Sequence, residues 1–69
     1  MPVLHVYLFE GRTVEQKANL MRNLTQAVTE SLGSPAQNVR IMIQDMPKHN
    51  YAVGGVSVQA REDTAREKQ

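Results

Sequence analysis

The feature that most constrains the fold of this chain is a pair of strand-like segments on either side of one long helix-like segment. Val3–Phe9 is rich in β-branched and aromatic side chains and stops at Gly11, which predicts a strand that ends in a turn. Residues 39–46 predict a second strand, and its apolar character on both faces indicates that both faces are covered. Because a strand, a crossover helix and a strand form a right-handed unit, we expect the two strands to be parallel.

The segment between the strands carries signals for both ends of a helix. Thr13 and Gln16 have the spacing of a capping box, in which each side chain satisfies the backbone amide of the other residue. Gly33, followed by Pro35, predicts the end of the helix. Apolar and small residues recur between these signals at three- and four-residue spacing: Ala18, Met21, Leu24, Ala27, Val28, Ser31 and Leu32. The sequence therefore predicts one long amphipathic helix.

A single helix can cover only one face of a two-stranded sheet, which leaves apolar side chains on the other face. The chain has 69 residues, and a domain this short buries only about 60% of the surface that its unfolded chain exposes. It contains no cysteine for disulfides or thiolate metal sites, and its two histidines are too few for a zinc cluster. We therefore expect no metal, and we expect further copies of the chain to cover the open face.

The last third of the chain predicts a small hairpin and then a polar end. Gly54 and Gly55 predict a turn, and residues 56–58 alternate like a hairpin arm. Residues 61–69 carry six charges and no large apolar side chain. Such a composition predicts a solvated, frayed tail. We expect a single domain over residues 1–60 and a charged flexible tail over residues 61–69.

Charge and hydropathy exclude several classes of partner. The net charge is +1 from nearly equal numbers of acids and bases, so no broad field draws the chain to nucleic acid or to an anionic membrane. The amino terminus lacks the features of a secretory signal, and no apolar run approaches the roughly 20 residues that span a bilayer. The expected location is the cytoplasm, with neither a nucleic-acid nor a membrane partner.

Pro2 is the first residue that could carry chemistry. It follows Met1, and a small second residue normally permits removal of the initiator methionine, which would leave a free prolyl amine. Unlike an interior proline nitrogen, such an amine is a base, and a rigid ring at the start of a strand would hold it in place. Many cytoplasmic proteins have proline at this position without a catalytic role, so Pro2 alone predicts little.

Two arginines stand where a cation is unexpected. Arg12 follows Gly11 in the turn before the helix, where a cation opposes the helix dipole but where loops of strand-helix units commonly face a ligand. Arg40 interrupts an apolar strand, where a guanidinium needs an anionic partner. That partner is either a substrate carboxylate or a protein carboxylate, such as Asp45 or one on a neighbouring subunit. Because a guanidinium binds a carboxylate through two parallel hydrogen bonds, two arginines near one amine would suit a dicarboxylate.

Four groups of residues, in this order and spacing, resemble the 4-oxalocrotonate tautomerase family from residue 1 to about residue 57. The groups are Met1-Pro2-Val3, residues 9–13 with 15–17, residues 39–41, and residues 51–55. The resemblance implies an α+β fold, with a β-α-β subunit built on two parallel strands and a short C-terminal hairpin. It further implies a homohexamer arranged as a trimer of dimers.

The family resemblance also implies an activity that needs no cofactor. The implied reaction is the ketonisation of 2-hydroxymuconate to 2-oxo-3-hexenedioate, with Pro2 as the proton shuttle. Arg12 corresponds to the family's arginine for the distal carboxylate. Arg40 corresponds to the arginine that a neighbouring subunit contributes to the C1 carboxylate and the 2-oxygen.

Three positions bear on substrate preference within that resemblance. Tyr51 stands where the family commonly has phenylalanine or tryptophan in the apolar wall around the proline, and its hydroxyl could change the local polarity, bind substrate or face solvent. Phe9 replaces a leucine that helps to enclose the pocket and whose backbone amide positions water. Val53 occupies the place of a glutamate that activates water in related dehalogenases, which weakens a dehalogenase interpretation.

Two alternatives stay open beside the tautomerase hypothesis. If Met1 is retained, the Pro2 nitrogen is an amide, and the protein would be a noncatalytic carboxylate-binding oligomer. The substrate could also be a different unsaturated keto acid, including a monocarboxylate.

Overall fold

The first strand begins almost at the start of the chain and leads directly into the long helix. In a computed structural model, which describes residues 1–67, strand β1 spans Val3–Phe9 and helix α1 spans Val14–Leu32. Between them Gly11 has a φ of 117°, a conformation that glycine adopts at little cost. The predicted strand and helix are both confirmed.

Local side-chain chemistry sets both ends of α1. The Gln16 amide donates to Thr13 Oγ1 at 3.0 Å, and the Thr13 amide donates to Gln16 Oε1 at 2.9 Å, which completes the predicted capping box. At the other end Gly33 adopts the left-handed conformation, with φ 72°, and its amide donates to the Thr29 carbonyl at 2.9 Å.

The second strand returns beside the first in the same direction. A short 3-10 turn at Ala36–Asn38 leads into β2 (Arg40–Met46), which pairs in parallel with β1. The register places Val3 opposite Arg40 and Phe9 opposite Met46. This is the predicted β-α-β unit with its parallel two-stranded core.

The C-terminal part is a hairpin followed by a helix. After a 3-10 turn at Lys48–Asn50, strands β3 (Ala52–Val53) and β4 (Val56–Ser57) pair antiparallel around Gly54 and Gly55. Helix α2 follows at Val58–Glu67. The predicted turn and hairpin are confirmed, but the hairpin arm ends at Ser57.

Helix α2 corrects the expectation of a frayed tail. Residues 61–67 are helical, whereas residues 68 and 69 of the expected tail lie outside the described part of the chain. The helix has a physical basis: Ser57 Oγ accepts from the Ala60 amide at 3.0 Å, and Gln59 Nε2 donates to Asp63 Oδ1 at 3.0 Å. Charged residues at helical spacing therefore support a helix here.

The two faces of the β1–β2 sheet differ in their cover. Along β1, Leu4, Val6 and Leu8 are half-buried, and Leu8 meets α1, where Leu20 lines the same cleft. The side chains that alternate with them point away from α1 and are exposed, including Tyr7 at 58%. The opposite face of the sheet is thus an open apolar surface.

A single copy of the chain does not form a closed hydrophobic core. No residue among 1–67 is fully buried, and the accessible surface is 5300 Å², against about 4400 Å² expected of a compact monomer of this mass. The radius of gyration is 16.4 Å, against about 11 Å for a compact domain of this length. Within residues 1–67 no helix combines the length and apolar character that a bilayer crossing requires.

Candidate active site

Pro2 and Arg40 lie together at the amino ends of the two strands. The Arg40 amide donates to the Pro2 carbonyl at 3.0 Å, which fixes the two backbones side by side. The Arg40 guanidinium is exposed, and its Nη1 donates to the Gln37 carbonyl at 2.6 Å. Asp45 is not its partner, because Asp45 Oδ2 accepts from Lys17 Nζ at 2.6 Å. Arg40 has no carboxylate partner among residues 1–67.

Phe9 and Tyr51 lie at the opposite end of the sheet. Their rings meet edge to face, with centroids 5.5 Å apart and planes at 89°. Together with Leu8, Met46 and Val58 they line an apolar pocket of about 300 Å³. The Tyr51 carbonyl accepts from the Val58 amide at 2.9 Å, so the start of α2 helps to hold this aromatic wall.

Arg12 stands at the same end as Phe9. Both residues line a groove of about 590 Å³ whose charged walls also include Lys48 and Glu62. On its other side Arg12 lines a smaller cleft against α1 with Gln16. Arg12 forms no ion pair within the part of the chain that the structure describes. Its cationic group is therefore available to an anion that enters the groove.

The five predicted site residues thus form two groups within one chain. Pro2 and Arg40 precede or begin the strands, whereas Phe9, Arg12 and Tyr51 follow or end them. Strand β1, which runs from one group to the other, has seven residues and spans about 20 Å. One small substrate cannot contact both groups of the same chain.

His5 takes part in packing at the open face of the sheet. His5 Nε2 lies 3.0 Å from Gln44 Oε1, and its ring stacks on Tyr7 with centroids 4.5 Å apart. Residues 1–67 contain no cluster of three or more side chains with the ligand types that hold a metal ion.

Lys48 and Glu62 line the groove but were not predicted from the sequence as site residues. Lys48 had one available signal, because it follows the carboxyl end of a parallel strand, where ligands commonly bind in α/β units. Glu62 had none, since only the packing of α2 brings it to the groove.

Comparison with known proteins assigns the family. The sequence profile of the family described as tautomerase enzyme matches residues 2–61. The chain is also 44% identical over 57 residues to the 2-hydroxymuconate tautomerase of Comamonas testosteroni, a match that covers 83% of this chain and 90% of the relative. The chain belongs to the tautomerase family.

Solved structures of tautomerases share the fold. One of the 4-oxalocrotonate tautomerase isozymes of Methylibium petroleiphilum superposes with a TM-score of 0.81 at 48% identity, over 87% of this chain and 97% of that one. A heterohexamer 4-oxalocrotonate tautomerase from Chloroflexus aurantiacus gives a TM-score of 0.80 at 39% identity, over 86% of this chain and 95% of that one. This tautomerase is accordingly an isomerase, and its structural relatives include oligomers.

Proposed function

We propose that the protein catalyses the ketonisation of 2-hydroxymuconate, or of a close 2-hydroxydienoate, with the amine of Pro2 as its general base and acid. The observation that carries this proposal is the exposed Arg40 guanidinium, which has no carboxylate partner among residues 1–67 and is therefore available to a substrate carboxylate in the site of a neighbouring chain. The name of the Comamonas testosteroni relative supports the same substrate class.

The proton transfer needs only one group on the protein. Once Met1 is removed, the Pro2 nitrogen takes the proton from the 2-hydroxyl group of the substrate, which leaves a dienolate. The protonated amine then delivers this proton to C5, so that the double bond shifts and a 2-oxo-3-enoate is released. Atoms and charge balance without any cofactor.

The arginines supply binding and charge stabilisation. Arg40, contributed by a neighbouring chain, binds the C1 carboxylate and the 2-oxygen, where negative charge develops in the dienolate. A fixed cation at that position lowers the barrier. Arg12 binds the distal carboxylate and draws electron density toward the carbon that receives the proton. The apolar wall formed by Phe9 and Tyr51 limits water around the amine.

The site is shared between copies of the chain. Because about 20 Å separates the Pro2 group from the Arg12 group within one chain, an active site that uses both must take them from different chains. The exposed apolar face that includes Tyr7 supplies a surface for that assembly. We propose a homo-oligomer, with a hexamer arranged as a trimer of dimers as its form and the cytoplasm as its location.

The decisive assay follows 2-hydroxymuconate ketonisation by ultraviolet absorbance. We expect Arg40→Ala to lower kcat/KM by a factor on the order of 100 or more, since it removes a charge-assisted contact to the developing dienolate. The matched control is Arg22→Ala, which removes an equal charge from the exposed face of α1, where Arg22 contacts Asn19. Equal rates for the protein and Arg40→Ala would contradict the proposed substrate.

A second candidate function follows from Met1. Met1 is 84% exposed and precedes Pro2, and while it remains attached the Pro2 nitrogen is an amide with no useful basicity. The protein would then bind carboxylates without isomerising them. Intact-mass measurement of the amino terminus separates the two functions, because loss of one methionine residue is required for the first.

The exact substrate can be tested through Arg12. If the substrate is a dicarboxylate, Arg12→Ala will slow its turnover far more than the turnover of a monocarboxylate 2-hydroxydienoate. Equal losses for both substrates would favour a tautomerase of another unsaturated keto acid.

A further inference from the structure

An ion pair forms one wall of the Arg12 groove. Lys48 Nζ contacts both carboxylate oxygens of Glu62, at 2.9 and 3.0 Å, and both side chains are partly buried. Both residues line the groove of about 590 Å³ that also contains Arg12. The groove therefore offers a second cation that the reaction, as described above, does not use.

Helix α2 fixes the position of this cation. The Val58 amide ties the start of α2 to the Tyr51 carbonyl, and Arg61 Nη2 donates to the Val53 carbonyl at 3.0 Å. Glu62 follows in the first half of the helix and reaches back over fourteen residues to Lys48. A flexible lysine side chain is thereby held at one place on the groove wall instead of sampling solvent.

The charges of the groove balance only when Lys48 is counted. Glu10 and Glu62 supply two negative charges, and Arg12 and Lys48 supply two positive charges. Without Lys48 the groove would carry a net negative charge and would oppose the carboxylate that Arg12 binds. With Lys48 present, an entering carboxylate can share its ammonium group with Glu62.

We propose that Lys48 is a second cation for the carboxylate that Arg12 binds, and that Glu62 positions it there. Arg12 offers a planar pair of donors, and Lys48 adds a compact charge from the groove wall, so that one carboxylate can contact both. Glu62 holds Lys48 in place and also partly neutralises it, which limits the affinity. Lys48 is then a specificity-determining residue, and Glu62 is a positioning residue.

The test measures binding rather than turnover. Adipate, a saturated dicarboxylate that cannot tautomerise, is titrated into the isotopically labelled oligomer, and its Kd is read from amide chemical shifts. The inference rests on the proposed function only for the choice of a dicarboxylate. If the unmodified protein binds adipate in a Lys48-dependent way but does not turn over 2-hydroxymuconate, the proposed function is contradicted. This inference about Lys48 would still stand.

We expect Lys48→Met to raise the Kd for adipate by about two- to five-fold, the range of a partly exposed ion pair. Lys48→Arg keeps a cation and should restore the affinity of the unmodified protein. Glu62→Gln retains an oxygen acceptor for Lys48 but removes the competing charge, so it should lower the Kd by a similar factor. Arg22→Gln, which removes a charge from an exposed position on α1 that does not line the groove, should leave the Kd unchanged.

A double-mutant cycle then tests whether the two cations share one carboxylate. In an Arg12→Ala background the effect of Lys48→Met should shrink to less than about two-fold, since the shared ligand group is no longer anchored there. Circular dichroism and size-exclusion chromatography verify that each variant is folded and assembled. The inference is wrong if adipate does not bind, if Lys48→Met binds it as well as the unmodified protein, or if the effect of Lys48→Met is the same with and without Arg12.

Discussion

A mixture of two inactive variants should recover activity if the site is shared between chains. In the first variant Pro2→Leu removes the prolyl ring, and the large second residue keeps Met1 attached. In the second variant Arg12→Ala removes the cation at the other end of the sheet. Within one chain these two positions lie on either side of β1, about 20 Å apart. Each substitution therefore affects a different part of a shared site.

The expected recovery follows from random assembly. When equal amounts of the two chains are unfolded together and refolded, each site takes its Pro2 from one chain and its Arg12 from another. Half of the chains carry an intact Pro2, and half carry an intact Arg12. About a quarter of the sites should therefore receive both from intact chains, for any closed assembly in which these residues come from different subunits.

The assay is the ketonisation rate at saturating 2-hydroxymuconate, compared with the unmodified protein taken through the same refolding. We expect the mixture to reach about a quarter of that rate, while each variant refolded alone stays near the background. Mixing the variants after separate refolding serves as the control, because each oligomer then contains subunits of one variant only. A co-refolded mixture that merely averages the two parents would show that Pro2 and Arg12 serve one site from one chain.

Three further substitutions test the local account of the fold and the site. Thr13→Ala removes the hydroxyl that accepts from the Gln16 amide and should lower the free energy of unfolding by about 1 kcal/mol in urea titrations. An unchanged urea midpoint would show that the cap contributes nothing. Gly33→Ala should cost about 1 kcal/mol in the same assay, because φ is 72° and the space for a methyl group is open, so only backbone strain acts. Tyr51→Phe preserves the edge contact with Phe9 and should change kcat/KM for 2-hydroxymuconate by less than about two-fold, a change below 1 kcal/mol; a large loss would show that the hydroxyl binds substrate.

The β-α-β core could be predicted because its signals are local. The ends of α1 depend on Thr13, Gln16 and Gly33, whose side-chain and backbone preferences act within a few residues. The parallel pairing then follows from chain connectivity, because a crossover helix leaves few other arrangements. The open apolar face could also be predicted, because one helix can cover only one of the two faces of the sheet.

The C-terminal helix was not predicted because its stabilising contacts are polar. Residues 61–67 lack large apolar side chains, so no hydrophobic period marks a helix. The helix depends instead on the Ser57 cap and on contacts such as that between Glu62 and Lys48. Such contacts form only after the hairpin has brought the two segments together.

The candidate site could be predicted as a set of residues but not as an arrangement. Spacing placed Arg12 in a turn and Arg40 on a strand, and the structure confirms both positions. The alternative pairing of Arg40 with Asp45 was wrong, since Asp45 lies near the other end of β2 and pairs with Lys17 on α1. The split of the site into two groups depends on strand length and direction, which residue types alone do not specify.

The most direct test of the central claim compares two forms of the same chain that differ only at the amino terminus. One form begins at Pro2 after methionine removal, and the other keeps Met1 because it is produced while methionine aminopeptidase is inhibited. Intact mass identifies each form, and size-exclusion chromatography verifies equal assembly. We predict that only the form with the free Pro2 amine ketonises 2-hydroxymuconate. Equal rates for the two forms would contradict the assignment of Pro2 as the proton shuttle.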